Sequence, residues 1–178
     1  MRDDIDRAIH EEVVLVPYQA SWPEQFDAEK ARLLQLFPGQ FVELEHFGST
    51  AVPGMAAKPI IDILAGVASM AVADALFEPL LRNGYTTSRE FNAMLTDRKW
   101  FMKVAGGKRT HHLHVVEFRG PQWEDRLRFR DILRRKPEVA MRYGELKQRL
   151  ADTFRTDREA YTDAKAEFVA TVLASDGQ

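Results

Sequence analysis

The chain has 178 residues, of which 45% are hydrophobic and 29% are charged, and its formal net charge at pH 7 is −2. This length and composition are typical of one soluble domain with a sizeable core, and the charge argues against a nucleic-acid partner, which favours a basic surface. The lack of cysteine excludes disulfides, thiol chemistry and thiolate metal ligands. The first 20 residues are acidic and no run of about 18 apolar residues occurs, so we expect a cytoplasmic protein without a membrane partner.

The N-terminal half predicts one helix between two extended segments. We treat residues 1–178 as a single domain, in which residues 1–10 are frayed and residues 13–16 form a short strand or extended lead-in. Ser21 is the predicted N-cap of a helix that continues to about Phe37, because Pro38-Gly39 stops it. Residues 41–47 alternate between apolar and polar types, which indicates a strand.

The remaining pattern predicts a mixed sheet followed by helices. Residues 59–67 are nearly all apolar, as in a central strand buried on both faces, and residues 69–83 predict a helix. Further strands are expected near residues 85–88, 99–104 and 112–118, and helices from Pro121 onward with breaks near Pro137 and Thr156. The fold class is therefore α/β (α+β), with a mixed sheet of four to five strands flanked by helices and a helical C-terminal part.

A small-residue corner, Gly48-Ser49-Thr50, precedes the central strand and has the character of a phosphate site. Its successive backbone N–H groups can face an anion, and Ser49 or Thr50 can cap a short helix whose N-terminus favours negative charge. The alternative is a simple turn. Lys58 follows as a mobile positive charge suited to phosphate oxygens, or as a solvated lysine.

A single carboxylate, Asp62, interrupts the apolar run of the central strand. Burial of an ionised carboxylate costs several kcal/mol unless the group is paired, hydrogen-bonded or bound to a metal. We therefore expect Asp62 to be a metal ligand or a base, or else a carboxylate that caps backbone groups or pairs with an arginine.

Two histidines, His112 and His114, alternate along a predicted strand. They point to one face with about 7 Å between their Cα atoms, a common spacing of metal ligands. They can equally donate to phosphates or form an ordinary surface pair. His46, just before the small-residue corner, is a further candidate.

Basic side chains of the predicted C-terminal helices supply candidate phosphate ligands. Arg130 falls between apolar neighbours on its helix, which suits a guanidinium fork for phosphate or carboxylate, or a stem that keeps its head in water. Tyr143 with Lys147, and Tyr161 with Lys165, are spaced four residues apart, so each pair lies on one helical face and can stack on and charge-pair a ligand.

In combination these motifs resemble the GrpB family, whose members are assigned to the nucleotidyltransferase superfamily of polymerase-β-like folds. The resemblance covers nearly the whole length, and its most specific part is the block from Glu45 to Ile63. The other matching segments are Pro17-Tyr18, Trp22-Pro23, Gly84-Tyr85, His112-Leu113-His114-Val115-Val116, residues 127–134, Tyr143, Leu146-Lys147, Tyr161-Thr162 and Lys165.

The resemblance implies a nucleotidyltransferase-like sheet with a Gly-Ser corner on the triphosphate and paired acids on the next strand. In those enzymes two Mg²⁺ ions, held by carboxylates, stabilise an in-line attack on phosphorus. Ser49 and Asp62 match the Gly-Ser corner and the first acid, but Leu64 stands where the second acid is expected, and an apolar side chain binds no metal. His112 or His114 can complete a single-metal site with Asp62.

Three functions follow as hypotheses. The first is a transferase of nucleotidyl or phosphoryl groups that depends on Mg or Mn, with Zn also compatible, and acts on a nucleotide or other phosphorylated small molecule. In it Asp62 and Ser49 are catalytic, Asp62, His112 and His114 hold the metal, and the phosphate ligands are Gly48, Ser49, Thr50, Lys58, Arg130, Lys147 and Lys165. The second is a non-catalytic module that binds a phosphorylated ligand or a partner protein. The third is a Zn- or Mn-dependent hydrolase built on the two histidines.

Overall fold

The structure, a computed structural model, describes residues 2–176, with side chains from residue 5 onward. Its helices are α1 (Arg2–Ile9), α2 (Trp22–Leu36), α3 (Met70–Arg82), α4 (Arg89–Met94), α5 (Pro121–Arg135), α6 (Pro137–Thr153), α7 (Arg158–Asp163) and α8 (Ala166–Ser175). Its strands are β1 (Glu43–Phe47), β2 (Ile61–Val67), β3 (Arg98–Ala105) and β4 (Lys108–Glu117). The predicted mixed α/β fold with a helical C-terminal part is confirmed. Within residues 2–176, no helix combines the length and the apolar character needed to cross a membrane.

The four strands form one mixed sheet in the order β1-β2-β4-β3. Strand β2 pairs antiparallel with β1 and parallel with β4, and β3 pairs antiparallel with β4. Its position between two neighbours explains the apolar sequence of β2, which is buried on both faces. The parallel register places Asp62 beside His112, although the two residues lie 50 positions apart in the chain.

One face of the sheet packs against α2 and α3 and forms the main core. Ile61, Ile63, Leu113, Val115 and Phe101 are each at most 1% exposed on this face. Burial of such a side chain contributes about 1.5–3 kcal/mol to the free energy of unfolding. This core fixes the strand register, and therefore also fixes which residues point to the opposite face.

The opposite face carries Asp62, His112 and His114 and is covered in part by α5. Trp123 of α5 packs with Leu64 and Val116, which seals one half of this face. A further cluster, in which Val52 and Met55 contact Leu133 and Tyr143, ties the segment after the small-residue corner to α5 and α6. The candidate site lies between these two apolar contacts.

Several local predictions need correction. Residues 2–9 form α1 instead of a frayed end, since Ala8 is fully buried and its carbonyl oxygen accepts a hydrogen bond from Arg109 Nε. Residues 13–16 and 85–88 form no full strand, and only isolated bridges join Val16 to Ala57 and Thr86 to Met102.

The capping role predicted for Ser21 is also wrong. Its backbone is already helical, with φ −79 and ψ −11, and its side chain makes no capping hydrogen bond. An N-cap side chain reaches the first-turn amides from an extended backbone. The Ser21 hydroxyl instead accepts a hydrogen bond from the side chain of Gln25.

Candidate functional site

The Gly48 corner approaches Asp62 so closely that only glycine fits there. Gly48 connects β1 to a short 3-10 turn at Ser49–Ala51 and has φ 71 and ψ −171, a conformation that residues with a Cβ avoid. A Cβ on Gly48 would overlap Oδ2 of Asp62. The turn leaves its first N–H groups without intrahelical acceptors, so the corner presents donors next to the carboxylate.

Thr50 and His46 brace this corner from inside the protein. Thr50 is 1% exposed, and its hydroxyl donates to the Ile60 carbonyl oxygen at 3.2 Å and contacts His46 Nε2 at 3.0 Å. His46 stacks on Phe26 on the other face of the sheet, and burial lowers its pKa to about 4. Both side chains are therefore structural, and of the Thr50 atoms only the backbone N–H remains a candidate phosphate ligand.

Asp62, His112 and His114 meet on one face of the sheet. One ligand atom from each of the three side chains lies within 4.8 Å of the other two. His112 Nδ1 lies 3.1 Å from Asp62 Oδ1, and since a carboxylate only accepts, we assign the proton to Nδ1. His112 Nε2 and His114 Nδ1 are buried without a hydrogen-bond partner, which costs free energy unless a ligand binds there.

The protonation states of the cluster suit metal binding at neutral pH. Burial raises the pKa of Asp62, but the hydrogen bond from His112 and the electrostatic effects of His112, His114 and Lys58 outweigh it, and the net shift is downward. Burial lowers the pKa of His112 and of His114 below the ordinary value of 6.5. An ionised carboxylate and two neutral imidazoles are therefore expected, the form in which these groups bind a metal.

The donor set favours one transition-metal ion. Two imidazoles and one carboxylate suit Zn, Mn or Fe, whereas paired Mg²⁺ ions need more oxygen ligands. Leu64 occupies the position of the second acid and is fully buried. Glu45 pairs with Leu64 across the sheet, but its carboxylate forms an ion pair with Arg130 at 2.5 Å. No second carboxylate therefore joins Asp62 among the described residues.

Three lysines that were predicted as phosphate ligands each place the ammonium group over the ring of a tyrosine. Lys58 Nζ lies 4.8 Å and Lys165 Nζ 4.2 Å from the ring centroid of Tyr161, while Lys147 Nζ lies 5.2 Å from that of Tyr143. Lys147 is 2% exposed and donates to the Ala56 carbonyl oxygen at 2.6 Å. Cation–π contacts partly compensate the lost hydration of these ammonium groups.

These ammonium groups have no carboxylate partner. In the part of the chain with described side chains, none of the three lysines forms a salt bridge. Burial, followed by mutual repulsion, lowers the pKa of Lys58 to about 7 and that of Lys147 to about 7, and burial lowers that of Lys165 to about 8. Asp62 opposes each of these shifts, so all three lysines lie within electrostatic range of the Asp62 carboxylate.

Two arginines extend the site and were not assigned to it from the sequence. Arg158 Nη1 is buried without a partner, although the same guanidinium pairs with Glu11 at 3.0 Å. The charges of Arg158 and Arg109 both lower the pKa of Lys58, which places the two guanidiniums near that lysine. Arg158 precedes Tyr161 by three residues on α7, a helical spacing that was visible in the sequence.

Arg130, predicted as a phosphate ligand, is committed to protein groups. Its guanidinium donates to Glu45 and to the His46 carbonyl oxygen at 2.9 Å, and to Asp131 at 2.8 Å. Its pKa is raised because these hydrogen bonds and charges outweigh burial. The predicted guanidinium fork is present, but the anion that it binds is the carboxylate of Glu45 and not a phosphate. Arg130 therefore helps to position the Gly48 corner and is not a free phosphate ligand.

Comparison with known proteins matches the chain to a family model described as GrpB protein over residues 12–175. The glutamate-rich protein GrpB of Alkalihalophilus pseudofirmus is 38% identical over 170 residues, which cover 91% of this chain and 94% of that protein. The UPF0157 protein YqkA of Bacillus subtilis is 40% identical over 159 residues. That match covers 89% of this chain but 46% of the Bacillus protein, so the chain spans about half of that relative.

The fold is likewise found in a solved structure. The crystal structure of the conserved protein GrpB from Enterococcus faecalis superimposes with a TM-score of 0.78 at 35% sequence identity, and the match covers 93% of this chain and all of the other. The sheet, the Gly48 corner and the covering helices define a mixed α/β protein. The chain belongs to the GrpB family.

Proposed function

We propose that the chain is a metal-dependent enzyme that transfers a nucleotidyl or phosphoryl group from a nucleotide or other phosphorylated small molecule. The observation that carries this proposal is the meeting of the Asp62–His112–His114 cluster with three lysines that lack carboxylate partners, of which Lys147 is buried and Lys58 and Lys165 are partly buried. Positive charge that is shielded from water is stabilised when an anion binds, and a phosphate chain is a polyanion that can meet several ammonium groups at once.

The phosphates are assigned to the lysine side of the site. Lys58 and Lys165 approach one ring, Tyr161, and can contact neighbouring phosphate oxygens. The N–H groups of the Gly48 corner would supply further, directional donors. Charge that develops on phosphoryl oxygens during transfer is stabilised best by such preorganised donors, since they do not have to reorient.

Asp62, His112 and His114 would hold the metal, because their free ring nitrogens and carboxylate fit one ion. A bound ion would supply Lewis-acid polarisation of a phosphate oxygen. With its lowered pKa, Asp62 stays ionised at neutral pH and serves as a ligand instead of a proton donor. The Gly48 contact fixes the orientation of the carboxylate.

A non-catalytic module that binds a phosphorylated ligand is the second candidate. Leu64 in place of an acid and the engagement of Glu45 by Arg130 favour it, since two-metal phosphoryl transfer uses more than one carboxylate. Such a module would keep the cationic pocket and release no product. The hydrolase hypothesis differs from both in requiring a tightly bound transition metal.

Calorimetric titration with Mn²⁺ or Zn²⁺, followed by tripolyphosphate, tests the site directly. Asp62→Asn and His114→Ala should each lose metal binding, and Lys165→Gln should weaken tripolyphosphate binding. His111→Ala is the matched control, because His111 lies on the same strand but on the opposite face, near Glu29. Ligand at about 100 times its Kd should raise the free energy of unfolding by about 2.7 kcal/mol.

Product release separates the candidates. An enzyme should convert nucleoside triphosphates in the presence of metal and acceptor, and Asp62→Asn should abolish turnover. Binding without turnover in every metal would favour the module, and stoichiometric transition metal after purification would favour the hydrolase. If wild-type protein bound neither metal nor tripolyphosphate, the proposed site would be wrong.

A further inference from the structure

Trp100 is a partly exposed aromatic ring on the same face of the sheet as the candidate site. It pairs with His114 across β3 and β4, and its ring centroid lies 5.3 Å from that of His112. The other two tryptophans of the described chain, Trp22 and Trp123, are 1% and 4% exposed in the core. Trp100 therefore differs from them in facing a site instead of filling a core.

A buried side chain holds the backbone of Trp100 in place. Asn92 of α4 is 2% exposed, and its Oδ1 accepts the Trp100 N–H at 2.8 Å while its Nδ2 donates to the Trp100 carbonyl oxygen at 2.8 Å. Phe91 packs edge-on against the Trp100 ring at 5.9 Å and is itself 38% exposed. This edge of the sheet thus presents a partly exposed indole on a backbone that is held in place.

Arg109 connects Trp100 to the phosphate side of the site. Its guanidinium carbon lies 6.0 Å from the Trp100 ring centroid, and its charge acts on Lys58. Because the Trp100 ring also lies beside His112, which contacts Asp62, a ligand bound at the Asp62 cluster has an aromatic surface beside it. A planar heteroaromatic ring, such as a nucleobase, is the chemical group that stacks on an indole.

We propose that Trp100 is the specificity-determining residue of the site, and that it selects phosphorylated ligands with a heteroaromatic ring by stacking on that ring. This inference rests on the proposed function for the phosphate site. Stacking uses the face of any base, so Trp100 distinguishes nucleotides from inorganic or aliphatic phosphates but discriminates weakly among bases.

The test compares ATP with inorganic tripolyphosphate in wild-type protein, Trp100→Leu and Trp100→Phe. ATP should bind wild-type protein more tightly than tripolyphosphate does, and Trp100→Leu should weaken ATP binding about 5- to 150-fold. Trp100→Phe should restore part of the loss. Tripolyphosphate affinity should be the same in all three proteins, which also shows that the variants are folded.

Tryptophan fluorescence provides a readout that a structural role for Trp100 would not change. ATP, corrected for its own absorption, should quench the emission of wild-type protein, whereas tripolyphosphate should not, since Trp22 and Trp123 are buried. The inference is overturned if ATP binds no more tightly than tripolyphosphate, or if Trp100→Leu weakens both ligands equally. Binding of neither ligand to wild-type protein would overturn the proposed function and, with it, this inference.

Discussion

At the scale of single residues, the position of the Asp62 carboxylate requires a glycine at position 48. The backbone of Gly48 occupies the space beside the Asp62 carboxylate, with φ 71. The carboxylate in turn is held by His112 at 3.1 Å. The sequence pattern of a glycine before a lone buried acid thus has a steric cause, because any side chain at position 48 would displace the acid.

Gly48→Ala should lower the free energy of unfolding by about 1–3 kcal/mol and weaken metal binding. The physical reasons are backbone strain at this φ and the overlap of the new Cβ with Asp62. Urea denaturation and metal titration measure the two effects.

Gly54→Ala is the matched control for this substitution. Gly54 has a similarly positive φ of 79, but no atom lies within 4 Å of the position of its Cβ. It should reproduce the strain without the loss of metal affinity. Equal metal binding by Gly48→Ala and wild-type protein would contradict the steric coupling to Asp62.

At the scale of elements, helix α4 replaces a missing neighbour of the edge strand β3. Strand β3 pairs with β4 on one side only. On the other side Thr86 bridges to Met102, and Asn92 binds both backbone groups of Trp100. Unpaired edges invite association with other chains, and this cover removes part of that edge from solvent.

Asn92→Ala should destabilise the protein by about 1–3 kcal/mol, because it leaves the backbone N–H of Trp100 without a partner and removes one of the two side-chain donors to the Trp100 carbonyl oxygen, the other being Thr87. Chemical denaturation measures the change. Asn83→Ala is the comparison, since Asn83 lies at the half-buried end of α3 and its side chain donates to the Pro79 carbonyl oxygen alone. A smaller effect at Asn92 than at Asn83 would refute the role assigned to Asn92.

Helix α5 fixes the two ends of the Gly48 corner. Arg130 donates to the His46 carbonyl oxygen at 2.9 Å, and Arg134 donates twice to the Ala51 carbonyl oxygen, at 2.9 and 2.8 Å. Hydrogen bonds from charged donors are stronger than neutral ones, so the helix positions the corner firmly.

Arg130→Gln should therefore lower stability by about 1–3 kcal/mol while leaving the affinity for tripolyphosphate nearly unchanged. The reason is that the Arg130 guanidinium already pairs with Glu45 and Asp131. Lys165→Gln, in contrast, should weaken tripolyphosphate binding without destabilising the protein. Denaturation and calorimetry on both variants would show whether Arg130 is a phosphate ligand after all.

At the scale of the whole molecule, the candidate site concentrates positive charge in a protein whose net charge is −2. Lys58 comes from the segment before β2, Lys147 from α6 and Lys165 from the N-terminal end of α8. The core supplies the stability that offsets the repulsion among these groups. This arrangement makes the stability of the ligand-free protein depend on pH.

The free energy of unfolding should increase as pH rises from about 7 toward about 10. The pKa of Lys147 is about 7 in the fold and near 10.5 in an unfolded chain, so the unfolded state binds the extra proton in this interval. Each such lysine contributes at most about 1.4 kcal/mol per pH unit. Lys147→Met should reduce the slope in urea denaturation, whereas the exposed Lys108→Met should not.

Phosphate binding should show the opposite dependence on pH. An anion favours the charged ammonium, so affinity for tripolyphosphate should fall as pH rises through the pKa of Lys58, about 7, and that of Lys165, about 8. Calorimetry in two buffers of different ionisation enthalpy should detect proton uptake on binding near pH 8. Binding without proton uptake would show that the lysines are already charged.

Local periodicity in the sequence determined much of the fold and part of the site. The apolar run of β2 predicted its central position, and strand alternation placed His112 and His114 on one face. Lys165 reaches Tyr161 of α7 from the start of α8, so that contact joins two helices, but helical spacing put Lys147 beside Tyr143 within α6. These features follow from repeats of two and about 3.6 residues, which are fixed by backbone geometry within a single element.

Only the tertiary structure decided which elements meet. Strand order places β4 beside β2 and so brings His112 to Asp62, and no local pattern specifies that pairing. The partner of Arg130 is Glu45, 85 residues away, and the partly exposed Trp100 is held by a helix that was not predicted. The free energy of a contact depends on burial and on distance in space, not on separation along the chain. The partners of long side chains and of edge strands are therefore set by the packing of the whole molecule.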